Sequence, residues 1–154
     1  MLLSHATNKN WEVNQMDIPT AFLNGNIESD IYIKAPQGVN QENGKIFKLN
    51  KALYELRESP NSYNNKFNEI ASKYNFTRSL NDSCLYINDD NTWIVLYIDD
   101  LLITGKRGNI DKVIEIFKQE FNAKDLGKVT NFLGMEISRE SGKLMIKQSS
   151  LTKF

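Results

Sequence analysis

Residues 94–103 read Ile94-Val95-Leu96-Tyr97-Ile98-Asp99-Asp100-Leu101-Leu102-Ile103, an apolar run interrupted by two adjacent aspartates. The two apolar halves predict the strands of one antiparallel hairpin, with the acidic pair at its tip. This doublet is a poor sequence for a tight turn, because no glycine is present to take a positive φ. Two carboxylates held this close also repel each other unless a cation neutralises them. A solvent-exposed turn is the alternative that this stretch leaves open.

A second aspartate pair has a different context. Asp89 and Asp90 lie between two asparagines, which is typical of a solvated turn. Asp17, by contrast, ends another segment that reads as a buried strand. If that strand lies beside the hairpin, Asp17, Asp99 and Asp100 meet at one edge of a sheet. Mg²⁺ prefers such hard oxygen ligands, and two-metal phosphoryl transfer requires carboxylates gathered in this way.

The pattern of the remaining chain predicts an α+β fold. Helical spacing of apolar residues predicts amphipathic helices over about 59–74 and 108–121. Alternating or short apolar runs predict strands at 11–18, 31–34, 45–49, 85–87, 92–97, 101–103, 135–139 and 143–147. This order is compatible with an antiparallel sheet covered on one face by two helices, as in a split βαβ, ferredoxin-like core. No linker or repeat divides the chain, so we expect one unit over residues 1–154.

Composition excludes several classes of protein. The 154 residues include 19 basic and 19 acidic side chains, so the formal net charge is zero. A neutral chain releases few counterions, and we expect it to bind nucleic acid weakly by itself. One cysteine and one histidine exclude an internal disulfide and a zinc site made of these ligands alone. No apolar run approaches the roughly 20 residues of a membrane span, so we expect no membrane partner and an intracellular, cytoplasmic protein.

Several segments resemble one known family. Tyr97-Ile98-Asp99-Asp100 resembles the Tyr-x-Asp-Asp signature of reverse transcriptases. Further segments are similar, in order, to motifs of the copia-type LTR retrotransposons; they are residues 15–25, 30–38, 47–54, 124–127, 132–137 and 148–149. The resemblance extends over nearly the whole chain. The rival interpretation is an unrelated α+β domain whose motifs match by chance.

The resemblance implies a polymerase palm. It assigns Asp17, Asp99 and Asp100 as catalytic residues that bind two Mg²⁺ ions, with Mn²⁺ as a possible substitute. The implied reaction is RNA-directed DNA synthesis, in which a primer 3′-hydroxyl attacks a deoxynucleoside triphosphate. The implied partners are an RNA or DNA template with its primer, dNTPs, and the remaining polymerase subdomains of a polyprotein. By family the protein would be found in cytoplasmic virus-like particles.

The resemblance also assigns nucleotide-binding residues. Phe22 matches an aromatic residue that crowds the 2′ position of the incoming sugar, and an ordinary core phenylalanine is its alternative. Tyr97 and Ile98 belong to the signature that contacts the primer end and the nucleotide. Lys124 is similar to a basic residue near the triphosphate, and a simply solvated lysine is its alternative.

The chain departs from the family pattern in the groove that carries template and nucleotide. Glu55 stands where the family usually has glycine, and Glu58 where it has glutamine. Both changes would add negative charge near phosphates. The fingers, the thumb and the RNase H domain are expected to be absent from residues 1–154. The alternative to a polymerase is therefore a catalytically inactive relic or a co-opted palm that folds or binds a partner.

Overall fold

The computed structural model describes residues 2–35, 38, 46–140 and 142–149. Its contacts divide the chain into two compact units, one of Met1–Pro19 with Ala71–Phe154 and one of Thr20–Ile70. The helices are α1 (Leu2–Asn8), α2 (Ser59–Lys73) and α3 (Arg107–Phe121). The strands are β1 (Val13–Asp17), β2 (Tyr32–Lys34), β3 (Ile46–Lys48), β4 (Phe76–Arg78), β5 (Leu85–Asn88), β6 (Trp93–Tyr97), β7 (Asp100–Thr104), β8 (Lys124–Lys128), β9 (Asn131–Phe132), β10 (Met135–Glu140) and β11 (Lys143–Lys147). The predicted α+β class is confirmed.

The first unit contains a six-stranded sheet in the order β4-β5-β6-β7-β1-β8, with every neighbouring pair antiparallel. The inner strands β1 and β7 carry the most buried side chains. Met16, Leu101 and Ile103 are fully buried, whereas Gln15 and Asp17 on the other face of β1 are partly exposed. This alternation places Gln15 and Asp17 together on one face of the sheet.

Helix α3 follows the predicted amphipathic pattern. Its apolar stripe is buried and consists of Ile110, Val113, Ile114, Phe117 and Phe121. The helix begins at Arg107, slightly before the predicted Gly108-Asn109 start. It ends at Phe121 and is capped by Asn122, whose φ of 52° is left-handed and whose N–H donates to the Phe117 carbonyl.

A smaller sheet in the same unit has the order β11-β10-β9. Its β10–β11 hairpin was predicted, and its described residues include Gly142 but not Ser141. Apolar side chains of α1, the central sheet and this smaller sheet form one buried cluster, which consists of Leu2, Ala6, Val13, Leu102, Val129, Phe132 and Ile137. The pattern did not predict α1, β4, β8 or β9.

The second unit contains a short 3-10 helix, Ala21–Asn24, and the two-stranded ribbon of β2 and β3. The ribbon strands were predicted, and they are largely exposed. Helix α2, which begins in this unit, starts at the predicted Ser59. Instead of capping the helix, the Ser59 hydroxyl donates to the Leu53 carbonyl at 2.5 Å. No helix among the described residues has the length and apolar character needed to cross a membrane.

Candidate active site

The hairpin of β6 and β7 turns at Ile98 and Asp99, while Tyr97 and Asp100 face each other as the last strand pair. The acidic doublet is therefore not the turn itself, since Asp100 is already the first residue of β7. No glycine is present in this turn, and Ile98 takes the positive φ, 54°. A β-branched residue in this region is rare and stores backbone strain of about 1–3 kcal/mol.

Asp17 and Asp100 lie directly opposite each other on β1 and β7. The N–H of Ile18 donates to the Asp99 carbonyl at 2.8 Å. Because hydrogen-bonded and non-hydrogen-bonded pairs alternate along an antiparallel ladder, Asp17 and Asp100 form a non-hydrogen-bonded pair. Cα atoms in such pairs are about 4.5 Å apart and the side chains are close. Two carboxylates from different strands are thus held side by side.

Gln15 contacts this pair from the same face of β1. Its Nε2 donates to Oδ1 of Asp100 at 3.2 Å. Gln15 and Asp17 are two residues apart, so their side chains share one face of the strand. The amide therefore holds one oxygen of Asp100 and leaves the other available. No role was predicted for Gln15, although its spacing of two residues from Asp17 indicates that both side chains share one face of a strand.

On the other side of Asp17 lies Lys124 of β8, which is its register partner across the β1–β8 pair. The three side chains Asp100, Asp17 and Lys124 therefore form a row across three adjacent strands. Lys124 is exposed. Within the described residues, no Lys, Arg or His nitrogen lies within 4.0 Å of the carboxylate oxygens of Asp17, Asp99 or Asp100.

The donor chemistry of this edge fits a hard divalent cation, because the opposed carboxylates of Asp17 and Asp100 supply oxygen ligands and, in the described part of the chain, have no cationic nitrogen within 4.0 Å. A group of three or more acidic, histidine or cysteine side chains arranged to hold a metal ion does not occur among the described residues. Asp100 is the first residue of β7, whereas Asp99 belongs to the turn that precedes the strand. The structure therefore brings two of the three predicted ligands together and leaves Asp99 in the adjacent turn.

The other doublet lies elsewhere. Asp89 and Asp90 are exposed and belong to the turn that joins β5 to β6. Successive antiparallel hairpins turn at opposite ends of a sheet, so this turn is at the end away from Asp100. The contrast between the two doublets, which the flanking residues predicted, is present in the structure.

The proposed nucleotide-binding residues have different environments. Tyr97 and Ile98 are 48% and 44% exposed, so a ligand can reach both side chains at the tip of the hairpin. Phe22, in the second unit, is only 9% exposed. Its ring centroid lies 4.5 Å from that of Tyr54 and 6.0 Å from that of Tyr63. These contacts are those expected of a core aromatic residue, and the predicted role of Phe22 at the sugar stays a prediction.

Glu55 and Glu58 also belong to the second unit. Glu55 has a φ of 73° and follows Tyr54 in a turn closed by the Leu56 N–H and the Leu53 carbonyl. This third turn position is one that glycine occupies readily when φ is positive. The exposed carboxylate of Glu58 accepts a hydrogen bond from the Ser29 hydroxyl at 2.5 Å.

Glu58 lines a polar cavity of about 610 Å³ within the same unit, together with Arg57 and Lys66. The cavity that Glu58 lines therefore also has two cationic side chains in its wall. Its predicted effect on a phosphate chain stays a prediction.

Comparison with known proteins identifies relatives over almost the full chain. A family model described as "Reverse transcriptase (RNA-dependent DNA polymerase)" matches residues 1–153. The chain is 38% identical over 156 residues to the Retrovirus-related Pol polyprotein from transposon TNT 1-94 of Nicotiana tabacum, which covers 96% of this chain and 12% of that protein. It is 36% identical over 132 residues to the putative transposon Ty5-1 protein of Saccharomyces cerevisiae, with 82% of this chain and 43% of that protein covered.

A third relative is the Retrovirus-related Pol polyprotein from transposon RE1 of Arabidopsis thaliana, 28% identical over 154 residues. The match covers 96% of this chain and 10% of that protein. The chain thus spans less than half the length of each of these relatives.

Proposed function

Because the chain belongs to the reverse transcriptase (RNA-dependent DNA polymerase) family, we propose that it forms the palm of a retrotransposon polymerase that extends a primer on an RNA template. Its relatives are Pol polyproteins of transposons, so the copia-type resemblance is confirmed. The observation that carries the proposal is the opposition of Asp17 and Asp100 across β1 and β7. A polymerase needs carboxylates from separate strands at one point, and this register supplies them.

Strand order supports the palm assignment. The strands β6-β7-β1-β8 are adjacent in the sheet. In the chain, α2 lies between β1 and β6, and α3 lies between β7 and β8. One antiparallel strand separates each helix-connected pair, β7 between β1 and β6 and β1 between β7 and β8. This order is compatible with a split βαβ, ferredoxin-like core.

Each residue has a proposed role in nucleotidyl transfer. Asp17 and Asp100, with Asp99 in the adjacent turn, would hold two divalent cations, Mg²⁺ or Mn²⁺. When bound, these ions supply activation of the primer 3′-hydroxyl and stabilisation of charge on the leaving pyrophosphate. Gln15 orients Asp100 through its hydrogen bond. Lys124 places a positive charge beside Asp17, where an anionic triphosphate would approach.

The remaining roles are carried over from the family motifs. Tyr97 and Ile98, exposed at the hairpin tip, contact the primer end and the incoming nucleotide. Phe22 is proposed as the residue that excludes a 2′-hydroxyl. The chain spans 12% of the TNT 1-94 polyprotein, so the other Pol domains are proposed partners. The template, the primer and dNTPs are proposed partners through the polymerase function.

A second candidate function is that of a palm which folds or binds a partner but does not polymerise. Glu55 and Glu58 favour it, since they stand where the family has a glycine and a neutral amide. One unit charge at 4 Å from a phosphate costs about 4 kcal/mol at an effective dielectric of 20, before screening by water and cations. A third of that cost corresponds to about tenfold in rate.

Single-nucleotide incorporation on an RNA template distinguishes the two candidates. Residues 1–153 replace the matching segment of the tobacco TNT 1-94 polyprotein, with and without Glu55→Gly plus Glu58→Gln. We expect the reverted chimaera to have a kcat/KM about tenfold or more above the unreverted one. Asp17→Asn in the reverted chimaera is the matched control and should abolish incorporation.

The incorporation assay has three distinguishable outcomes. Incorporation only after reversion supports the inactive palm as the present state of this chain. Equal, Asp17-dependent incorporation in both chimaeras supports an active palm and shows that the glutamates point away from the groove. Incorporation that survives Asp17→Asn contradicts the proposed site.

A further inference from the structure

The pairing of β1 with β8 contains a one-residue irregularity. Gln15 pairs with Gly127, but the next residue, Met16, pairs with Asp125. Leu126 is therefore an extra residue on β8, which defines a β-bulge between these two pairs. Beyond the bulge the register continues, and the last pair joins Asp17 to Lys124.

This bulge decides which charge lies beside Asp17. Without it, regular pairing from Gln15 and Gly127 would place Leu126 opposite Met16 and Asp125 opposite Asp17. Asp17 would then have a carboxylate on each side. A shift of one residue exchanges the side chains on the two faces of a strand, so the bulge replaces an acidic neighbour with the basic Lys124.

The local sequence is suited to making the bulge. Gly127 has a φ of 75°, a conformation that glycine adopts without strain and that other residues rarely take. A Cβ added to Gly127 would meet no atom within 4 Å, so the glycine is needed for its backbone angle and not for space. The N–H of Gly127 donates to Oδ1 of Asp125 at 2.9 Å, which closes the bend around Leu126.

We propose that Asp125, Leu126 and Gly127 are positioning residues that set the register of β8 so that Lys124 lies beside Asp17. The row from Asp100 through Asp17 to Lys124 then includes one cationic side chain. An anionic polyphosphate can therefore approach the carboxylate pair. With Asp125 in that place, three carboxylates in one row would attract a metal ion and repel the polyphosphate. The choice of a polyphosphate as the ligand rests on the proposed function. The setting of the β8 register by Asp125, Leu126 and Gly127, here called the register device, does not.

The test uses the chain itself and nuclear magnetic resonance. Gly127→Val disfavours the positive φ and should release the bulge. Deleting Leu126 in the same variant removes the extra residue, so regular pairing again places Lys124 opposite Asp17. This deletion is the rescue. Gly142→Val is the matched control, because Gly142 has a similar φ of 78° in the β10–β11 hairpin and the same open surroundings.

Cross-strand nuclear Overhauser effects report the register. Separate titrations with Mg²⁺ alone and dTTP alone measure the affinities for a cation and an anion, which depend on the charges in the row. In Gly127→Val we expect contacts of Asp17 to move from Lys124 to Asp125. Mg²⁺ should then bind about tenfold more tightly and dTTP about tenfold more weakly, since a charge is reversed about 5 Å from Asp17 in a water-like dielectric. The Leu126 deletion should reverse all three changes, and Gly142→Val should cause none.

Opposite changes for cation and nucleotide are decisive, because simple destabilisation would weaken both. Unchanged Asp17–Lys124 contacts in Gly127→Val, or no rescue by the deletion, overturn the inference. If Gly127→Val does not fold, deletion of Leu126 from the wild-type chain decides: retained Asp17–Lys124 contacts support the register device and their loss overturns it. Register changes as expected without dTTP binding in any variant support the device and contradict the proposed function.

Discussion

Asp17 and Asp100 form one non-hydrogen-bonded cross-strand pair, with both carboxylates partly exposed on the same face of the sheet. Like charges directly opposite each other destabilise a sheet. Among the described residues no basic side chain closes an ion pair with either one. The pair therefore reduces the stability of the unliganded fold, which is expected where a site is adapted to a cation.

Replacing one of the two charges should stabilise the chain in a metal chelator. Asp100→Asn keeps an oxygen that can accept the hydrogen bond from Gln15 and removes the repulsion. We expect the free energy of unfolding in urea to rise by up to about 1 kcal/mol, and the gain to shrink as salt screens the charges. Asp90→Asn, in the exposed turn at the other end of the sheet, is the control and should change little. A loss of stability in Asp100→Asn would contradict the repulsion.

Glu55 should cost stability through its backbone as well as its charge. Its φ of 73° is left-handed, and such a conformation costs a non-glycine residue about 1–2 kcal/mol. Glycine relieves this strain but loses about 0.4–1 kcal/mol through its freer unfolded chain. We expect Glu55→Gly to raise the free energy of unfolding by between zero and about 1.6 kcal/mol. Glu55→Ala removes the same charge but keeps the Cβ. An equal gain in that variant would assign the effect to charge alone.

His5 should make stability depend on pH. Its imidazole stacks on the Trp93 indole with ring centroids 4.0 Å apart. Burial, and secondarily the charge of Lys9, lower the pKa of His5 below its ordinary value of 6.5. Below that value the unfolded chain therefore binds more protons than the folded chain, and the free energy of unfolding falls as the pH drops.

The chain has a single histidine, so His5→Phe isolates the effect while keeping a ring against Trp93. We expect the free energy of unfolding of the wild type, measured in urea, to fall as the pH drops from 6.5 to the lowered pKa. The difference in this free energy between wild type and variant should grow across that window. A His5 pKa above 6.5, measured by titration of its ring protons, would show that stacking of the charged imidazole on Trp93 outweighs burial.

Gly25 should tolerate no side chain. An added Cβ would lie 2.8 Å from the Tyr63 nitrogen and 2.9 Å from the Ser62 carbonyl carbon, both in the backbone of α2. Helix backbone cannot move aside as a flexible side chain can, and overpacking of this kind costs about 1–3 kcal/mol. Gly25→Ala should lower the urea midpoint, while Gly108→Ala, whose Cβ would meet nothing within 4 Å, should not. Equal midpoints in the two variants would contradict this packing.

The sequence predicted those parts of the fold whose apolar residues repeat. Helix α3 and the strands β6 and β7 were predicted because their patterns reflect burial. Strand β8 was not predicted, because four of its five residues are exposed and it is recognisable only through its pairing with β1. Strand β4 was not predicted, because Phe76 is its only apolar residue and a single apolar residue shows no period.

The candidate site was predicted to a similar extent. The residues flanking Asp17 and Asp100 indicated their importance, since acidic side chains at the ends of apolar strands need an explanation. The hydrogen bond of Gln15 and the position of Lys124 depend on strand register, which no local pattern contains. The positive φ of Ile98 was not expected, because glycine or asparagine usually occupies that turn position.

Binding of Mn²⁺ to the isolated chain tests most directly whether Asp17, Asp99 and Asp100 act as one cation site. The measurement is thermal unfolding over a Mn²⁺ titration, in the wild type, in Asp17→Asn and in the control Asp89→Asn. A cation that binds only the folded chain adds about 2.7 kcal/mol of stability at a concentration of 100 times its Kd. We predict saturable stabilisation of the wild type and of Asp89→Asn, and its loss in Asp17→Asn. Equal stabilisation of all three proteins, or of none, would contradict the site.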